Sequence, residues 1–182
     1  MFTQTALTSI DSYKLSHAVQ YQDGTTKVYS NFTPRSNTYF GGRDILGDKI
    51  VWFGLQGFLM ELKLIWDKTF FEQDIDTVAS EYTNLVIPFC GPNGFDATRI
   101  RELHKLGYLP LEIKALPEGS MVNIGVPVLT ITNTLPNFYW LPNFLETWLS
   151  ADLWKSSTSA STSAAYRKIL EKYYALTGAN AD

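Results

Sequence analysis

Asp11, Tyr13, His17 and Arg35 are the residues near the start of the chain that could do chemistry together. Ile10 to His17 reads Ile-Asp-Ser-Tyr-Lys-Leu-Ser-His, and Arg35 ends Thr33-Pro34-Arg35. The spacing predicts a short helix for the first stretch. Asp11 is its expected N-cap, because a carboxylate takes a free backbone N–H of a first turn. Tyr13 and His17 then share one helix face. Lys27-Val28-Tyr29-Ser30-Asn31-Phe32 alternates, reads as a strand, and delivers Arg35 just past its end. A carboxylate, a phenol, an imidazole and a guanidinium would thus come from two neighbouring elements. An aromatic face with a fork of N–H donors suits a flat ring carrying anionic groups. The plainer reading is a capped helix with a packed tyrosine beside a solvated arginine, and spacing alone favours it.

The elements that must position these residues are legible as periodicities. Residues 36–49, with Gly41, Gly42 and Gly47, read as a loop. Val51 to Trp66 carries Phe53, Leu55, Phe58, Leu59, Leu62 and Ile65 at helical spacing. Gly54 and Gly57 are poor helix formers there and imply a close approach of something else. A second helix is predicted over Glu72 to Leu85 and ended by Pro88. A third is capped by Asp96, runs through Ile100, Leu103 and Leu106, and stops at Gly107. From Tyr108 the texture changes. Leu111–Leu116, Met121-Val122 and Val126–Thr132 read as strands of a small antiparallel β unit, about 109–133. A helix follows from about Tyr139, with Pro142 in its first turn. Trp140, Phe144 and Trp148, and Leu141, Leu145 and Leu149, make it apolar round most of its circumference. Asn143, Glu146 and Ser150 form the narrow polar stripe. The Ser/Thr run 156–163 has a linker's composition, yet Ala164–Leu176 continues as a helix, so the run is read as helical. Its small residues would let it approach another backbone or a ligand closely. Gly178 ends it.

Composition excludes several function classes. The 182 residues suffice for one real core, and 45% hydrophobic with 18% charged residues is ordinary for a globular chain. Five Trp, ten Tyr and eleven Phe favour large buried layers or an extensive interface. A net charge of −3 with a pI near 5.4 argues against a nucleic-acid footprint. Cys90 is the single cysteine, which fits a reducing compartment and reads as a buried inert thiol rather than a nucleophile. No secretion signal is visible, and the longest apolar run, Val51–Trp66, is broken by Gln56, Glu61 and Lys63. A soluble, cytoplasmic protein is expected.

Several blocks resemble one known family. Residues 10–21, then Thr26-Lys27-Val28-Tyr29-Ser30 leading to Arg35, look like the N-terminus of the nicotinamide phosphoribosyltransferases. Phe53-Gly54-Leu55-Gln56, Leu109 through Gly119, Tyr139-Trp140-Leu141, Glu146-Thr147 and Lys168-Ile169-Leu170 agree in order and spacing, so the resemblance covers essentially the whole chain. The first block is particular to the nicotinamide enzymes. The Glu118-Gly119 and Glu146-Thr147 blocks are shared with the nicotinate and quinolinate enzymes. Thr33-Pro34 departs from the family's usual dipeptide before the arginine, and Pro34 fixes the local backbone.

The resemblance implies an α+β fold, one N-terminal domain over residues 1–182 in which helices surround the β unit. It implies transfer of phosphoribose from phosphoribosyl pyrophosphate to nicotinamide, giving nicotinamide mononucleotide and pyrophosphate in NAD salvage. It implies a homodimer with shared active sites, into which Asp11, Tyr13 and Arg35 reach from the partner. Tyr13 would stack on the nicotinamide ring, Arg35 would hold phosphate or pyrophosphate oxygens, and Asp11 would lie near the nicotinamide end. Mg2+ would accompany phosphoribosyl pyrophosphate, with ATP as a further family ligand. The catalytic histidine, acidic residues and phosphate loops belong to a C-terminal barrel, which is expected to lie outside these residues. The chain alone is therefore expected to be inactive. Three other readings compete: a barrel-less binding or dimerisation module, a nicotinate phosphoribosyltransferase fragment, and a lipoyl-type carrier at 109–133. The last is disfavoured because Lys114 sits inside a predicted strand rather than on a display turn.

Overall fold

The computed structural model describes residues 4–92 and 97–178. In chain order the elements are α1 (Lys14–His17), β1 (Tyr29–Phe32), α2 (Arg43–Leu46), β2 (Lys49–Val51), α3 (Leu55–Trp66), α4 (Ile75–Cys90), α5 (Thr98–Leu106), β3 (Leu111–Ala115), β4 (Met121–Asn123), β5 (Leu129–Asn133), α6 (Leu141–Phe144) and α7 (Glu146–Thr177). A π-helical stretch, Asp67–Phe71, extends α3. The class is α+β. One sheet has the order β1-β5-β3 and the other pairs β2 with β4. By contacts the chain forms two compact units.

The first unit comprises Met1–Ser30, Gln56–Ile113 and Ile131–Ser150. Its core is aromatic. Trp66 meets Phe70 at 5.0 Å and Phe144 at 6.4 Å between ring centroids, and Trp140 meets Phe144 edge-on at 5.3 Å. Phe58 and Trp148 make a further edge contact at 5.5 Å. Leu62, Val78, Val86, Ile100, Leu103 and Leu141 are buried with them. These are the positions that the 3.6-residue periodicity singles out.

α4 differs from its predicted bounds at both ends. Its cap is Asp74, whose carboxylate accepts from the backbone N–H groups of Asp76 and Thr77, both at 3.0 Å. Pro88 lies inside the helix rather than ending it, and the helix closes at Gly91 with φ 81°. A proline this near the end forfeits only the bond that an N–H at 88 would have made to the Asn84 carbonyl, and little helix has to continue past it. The predicted Asp96 cap of α5 lies outside the described residues. Gly107 ends α5 in the left-handed conformation, as its position predicts.

The second unit comprises Asn31–Leu55, Lys114–Thr130 and Ala151–Asp182. β2 and β4 run antiparallel with Ile50 opposite Val122. The β-unit expectation changes here: β5 pairs with β3, but β4 leaves to pair with β2, in a stretch that composition assigns to a loop and the start of a helix. Strands of three residues are too short to show a period, and their pairing is set by the chain around them. The Gly125 N–H donates to the Pro34 carbonyl at 2.8 Å and the Ile124 N–H to the Asp48 carbonyl at 2.9 Å. Trp52 is fully buried, and its Nε1–H donates to the Leu116 carbonyl at 3.0 Å.

The Ser/Thr run is helical throughout, inside the 32-residue α7. Its hydroxyls explain how. The Ser157 Oγ accepts from the Phe53 N–H and donates to the Phe53 carbonyl at 3.2 and 3.1 Å. The Ser161 Oγ accepts from the Val51 N–H at 2.9 Å. The polar backbone at the end of β2 is thus satisfied by a helix flank, which only small hydroxyl side chains permit at that separation. Gly54 sits in the contact with φ 108°, and a Cβ there would overlap the Ser156 side chain. Gly57, which the sequence pairs with it, has open space around its Cα.

Two outcomes are expected. Gly54→Ala destabilises the chain by roughly 2–4 kcal/mol, through both φ and overlap, whereas Gly57→Ala inside α3 is neutral or stabilises by up to about 1 kcal/mol; urea unfolding measures both. The Asp74 carboxyl is held below its ordinary 3.8, chiefly by the Thr77 N–H. Its stabilisation is therefore complete above pH 3.8 and fades as pH falls through the lower folded value. Asp74→Asn should flatten the stability-against-pH curve in that window.

Candidate functional site

The first site is built where the segment 10–17 meets the start of α7. α1 is a single turn, and its N-cap position is occupied by Tyr13 with no side-chain cap. The expected Asp11 cap is therefore corrected. Asp11 spends its groups on Thr147 instead: its backbone N–H donates to the Thr147 Oγ1 at 3.1 Å, and the Thr147 hydroxyl donates to the Asp11 Oδ2 at 2.8 Å. The Tyr13 hydroxyl donates to the same Oδ2 at 3.0 Å. That hydrogen bond raises the phenol above its ordinary 10.0, with desolvation and the charges of Asp11 and Glu146 acting in the same direction. The Tyr13 ring itself stays 55% exposed, so a face remains for stacking while the hydroxyl is tied. His17 lies beside it as its spacing predicts, ring centroids 5.3 Å apart.

Lys14 is the anchor of this segment. It is buried at 5% exposure, and its Nζ donates to the Asn143 Oδ1 at 2.6 Å and pairs with the Glu146 carboxylate. The ammonium also lies 5.2 Å from the Tyr13 ring centroid. Because Asn143 gives its oxygen to Lys14, its NH2 faces the other way, 2.7 Å from the His17 Nδ1 and 3.3 Å from the Tyr21 hydroxyl. An NH2 only donates, so Nδ1 accepts and the proton of a neutral His17 is assigned to Nε2. Lys14, Asn143, Glu146 and Thr147 are site residues that the spacing of chemical groups does not reveal. Asn143 and Glu146 lie in the polar stripe of an otherwise apolar helical run, and that stripe is the signal that could have found them.

Arg35 belongs to the second unit, in a setting of its own. It lines a cleft of about 420 Å³ with Tyr39, Phe40, Trp154, Ser157 and Thr158. Pro34, before it, is pinned by its carbonyl bond to Gly125. The Arg35 guanidinium is exposed and makes no hydrogen bond or ion pair among the described residues. The sites therefore offer a stacking ring, a carboxylate and a free guanidinium, which bind and orient. Among the described residues no three His, Cys, Asp or Glu side chains could together hold a metal ion. No helix of the described residues is long and apolar enough to cross a membrane.

The fold is shared with the crystal structure of human nicotinic acid phosphoribosyltransferase, with a TM-score of 0.61 and 22% identity over 85% of this chain and 27% of that one. The fold is thus one found within a phosphoribosyltransferase. Sequence narrows it. The family described as nicotinamide phosphoribosyltransferase, N-terminal domain, matches residues 5–84. A nicotinamide phosphoribosyltransferase of Acinetobacter baylyi is 48% identical over 98% of this chain and 36% of its own length. One from Xanthomonas campestris pv. campestris is 29% identical over 94% of this chain and 33% of its own. Residues 5–84 match the nicotinamide phosphoribosyltransferase N-terminal domain, and the chain spans about a third of the length of these curated relatives.

The Lys14 pair gives an asymmetric prediction. Lys14→Met leaves Glu146, 58% exposed, free to turn to water and should cost about 1 kcal/mol. Glu146→Ala strands a buried ammonium on Asn143 alone and should cost roughly 2–3 kcal/mol. Paired urea titrations would show the order, and equal costs would mean the ammonium has another outlet.

Proposed function

We propose that this chain is the N-terminal part of an enzyme that transfers phosphoribose from phosphoribosyl pyrophosphate to nicotinamide, yielding nicotinamide mononucleotide and pyrophosphate for NAD salvage. The observation that carries the reading is the 48% identity along nearly the whole chain to a protein named for that activity. The geometry supports it. Tyr13 offers an exposed ring fixed at its hydroxyl, suited to stacking on a neutral pyridine. Arg35 offers an unpaired guanidinium on an exposed loop, suited to oxygens on which negative charge develops as pyrophosphate leaves. Neither group does covalent chemistry, so the reading assigns these 182 residues binding and orientation, and no turnover by themselves.

The same proposal includes a cytoplasmic homodimer in which Asp11, Tyr13 and Arg35 of one subunit complete the partner's site. It includes Mg2+ on phosphoribosyl pyrophosphate and ATP as a further ligand. Among the described residues no three His, Cys, Asp or Glu side chains are placed to hold the metal together. A nicotinate specificity is the second reading, favoured by the shared fold with the human nicotinic acid enzyme. The higher identity to the nicotinamide enzymes, and the carboxylate of Asp11 beside Tyr13, weigh against it, since a pyridine carboxylate would be repelled there.

Subunit mixing tests the proposal in the complete enzyme. Tyr13→Ala should weaken nicotinamide binding by roughly 1–3 kcal/mol, the scale of one aromatic stack, and Tyr13→Phe by less. Arg35→Ala should impair use of phosphoribosyl pyrophosphate with folded stability nearly unchanged. An Arg35→Ala subunit mixed with one disabled in the remainder of the chain forms heterodimers with one doubly damaged and one intact site. Activity should return to at most about half of wild type. Heterodimers that recover nothing would place Arg35 in its own subunit's site, an Arg35→Ala enzyme active from the start would place it outside catalysis, and a kinetic preference for nicotinate would overturn the substrate assignment.

A further inference from the structure

The Tyr13 ring is exposed, yet its orientation is not left to solvent. Thr147, on the first turn of α7, grips Asp11 twice, accepting from its backbone N–H and donating to its Oδ2. The single oxygen so fixed is the one that receives the Tyr13 hydroxyl. A carboxylate on a short loop would otherwise rotate, and the phenol would follow it. Two hydrogen bonds from one side chain, to the backbone and the side chain of the same residue, fix both the position and the rotamer of Asp11. α7 is a long helix whose first residues pack against the aromatic core through Trp148 and Leu149, so the grip is mounted on rigid structure. We propose that Thr147 is a positioning residue for pyridine recognition, holding the Tyr13 ring at its stacking angle through Asp11 without touching the ligand. The proposal rests on the stacking role given to Tyr13 above.

Thr147→Val keeps the shape and removes the hydroxyl; Thr147→Ser keeps the hydroxyl. In the complete enzyme, Thr147→Val is expected to raise KM for nicotinamide about five-fold, because the ring stays in place and only its orientation is freed, with kcat within about two-fold of wild type. Thr147→Ser should restore KM. A Thr147→Val enzyme that loses thermal stability while keeping wild-type KM would make Thr147 a packing residue only and overturn the proposal. Tyr13→Ala separates the two levels of argument. If it leaves KM for nicotinamide unchanged, the stacking role fails and the positioning role falls with it. If it raises KM while Thr147→Val does not, the positioning role alone fails. A second readout needs no turnover: ring-13C tyrosine NMR of the 182-residue chain. Thr147→Val should move the Tyr13 phenol's titration down toward its ordinary value, and Thr147→Ser should leave it raised. A Tyr13 titration identical in all three proteins would overturn the proposal.

Discussion

A buried ammonium is the constraint on which the candidate site depends. Lys14 sits out of water between the Glu146 carboxylate and the Asn143 carbonyl, and an ammonium in that position must keep such partners. The requirement dictates the rest. It ties a one-turn helix, too short to stand on its own hydrogen bonds, to the start of α7. It turns Asn143 so that its NH2 faces His17 and Tyr21. It brings Asp11 within reach of Thr147, and through Asp11 the Tyr13 phenol. A hydrophobic residue at position 14 would pack the segment without specifying which way it faces.

The second unit solves a different problem with smaller groups. At the end of β2 the Val51 N–H finds its acceptor in the Ser161 hydroxyl, and the N–H and carbonyl of Phe53 both bond the Ser157 hydroxyl. The helix can come that close because residue 54 has no Cβ and residue 156 is small. Nearby, the same Ser/Thr flank forms one wall of the Arg35 cleft. Small hydroxyl residues therefore serve packing and a concave polar surface at once. A run that composition alone assigns to a flexible linker is instead among the most constrained parts of the helix.

Much of the chain's architecture was legible from residue order. Helical periodicity placed α3, α4, α5 and the aromatic faces at 140–149, because burial of one stripe imposes a 3.6-residue repeat whatever its partner. Gly107 and Gly178 marked helix ends through their positive φ. The local pairing of Tyr13 with His17 followed from spacing for the same reason. Resemblance supplied the family and the roles of Asp11, Tyr13 and Arg35, which spacing alone left beside a plainer reading.

What residue order could not decide was every choice of partner across long separations. Asp11 looked like a helix cap, since a carboxylate before a helical run ordinarily is one; Thr147, 136 residues away, outcompeted the local N–H groups. β2 had no readable period at three residues and exists only because β4 lies opposite it. Gly54 and Gly57 were equivalent as sequence, and only the approach of Ser156 separates them. Periodicity and spacing are set by a residue's own element, so one sequence determines them. Hydrogen-bond partners, strand pairing and close approach depend on which elements meet, and only the tertiary structure settles that.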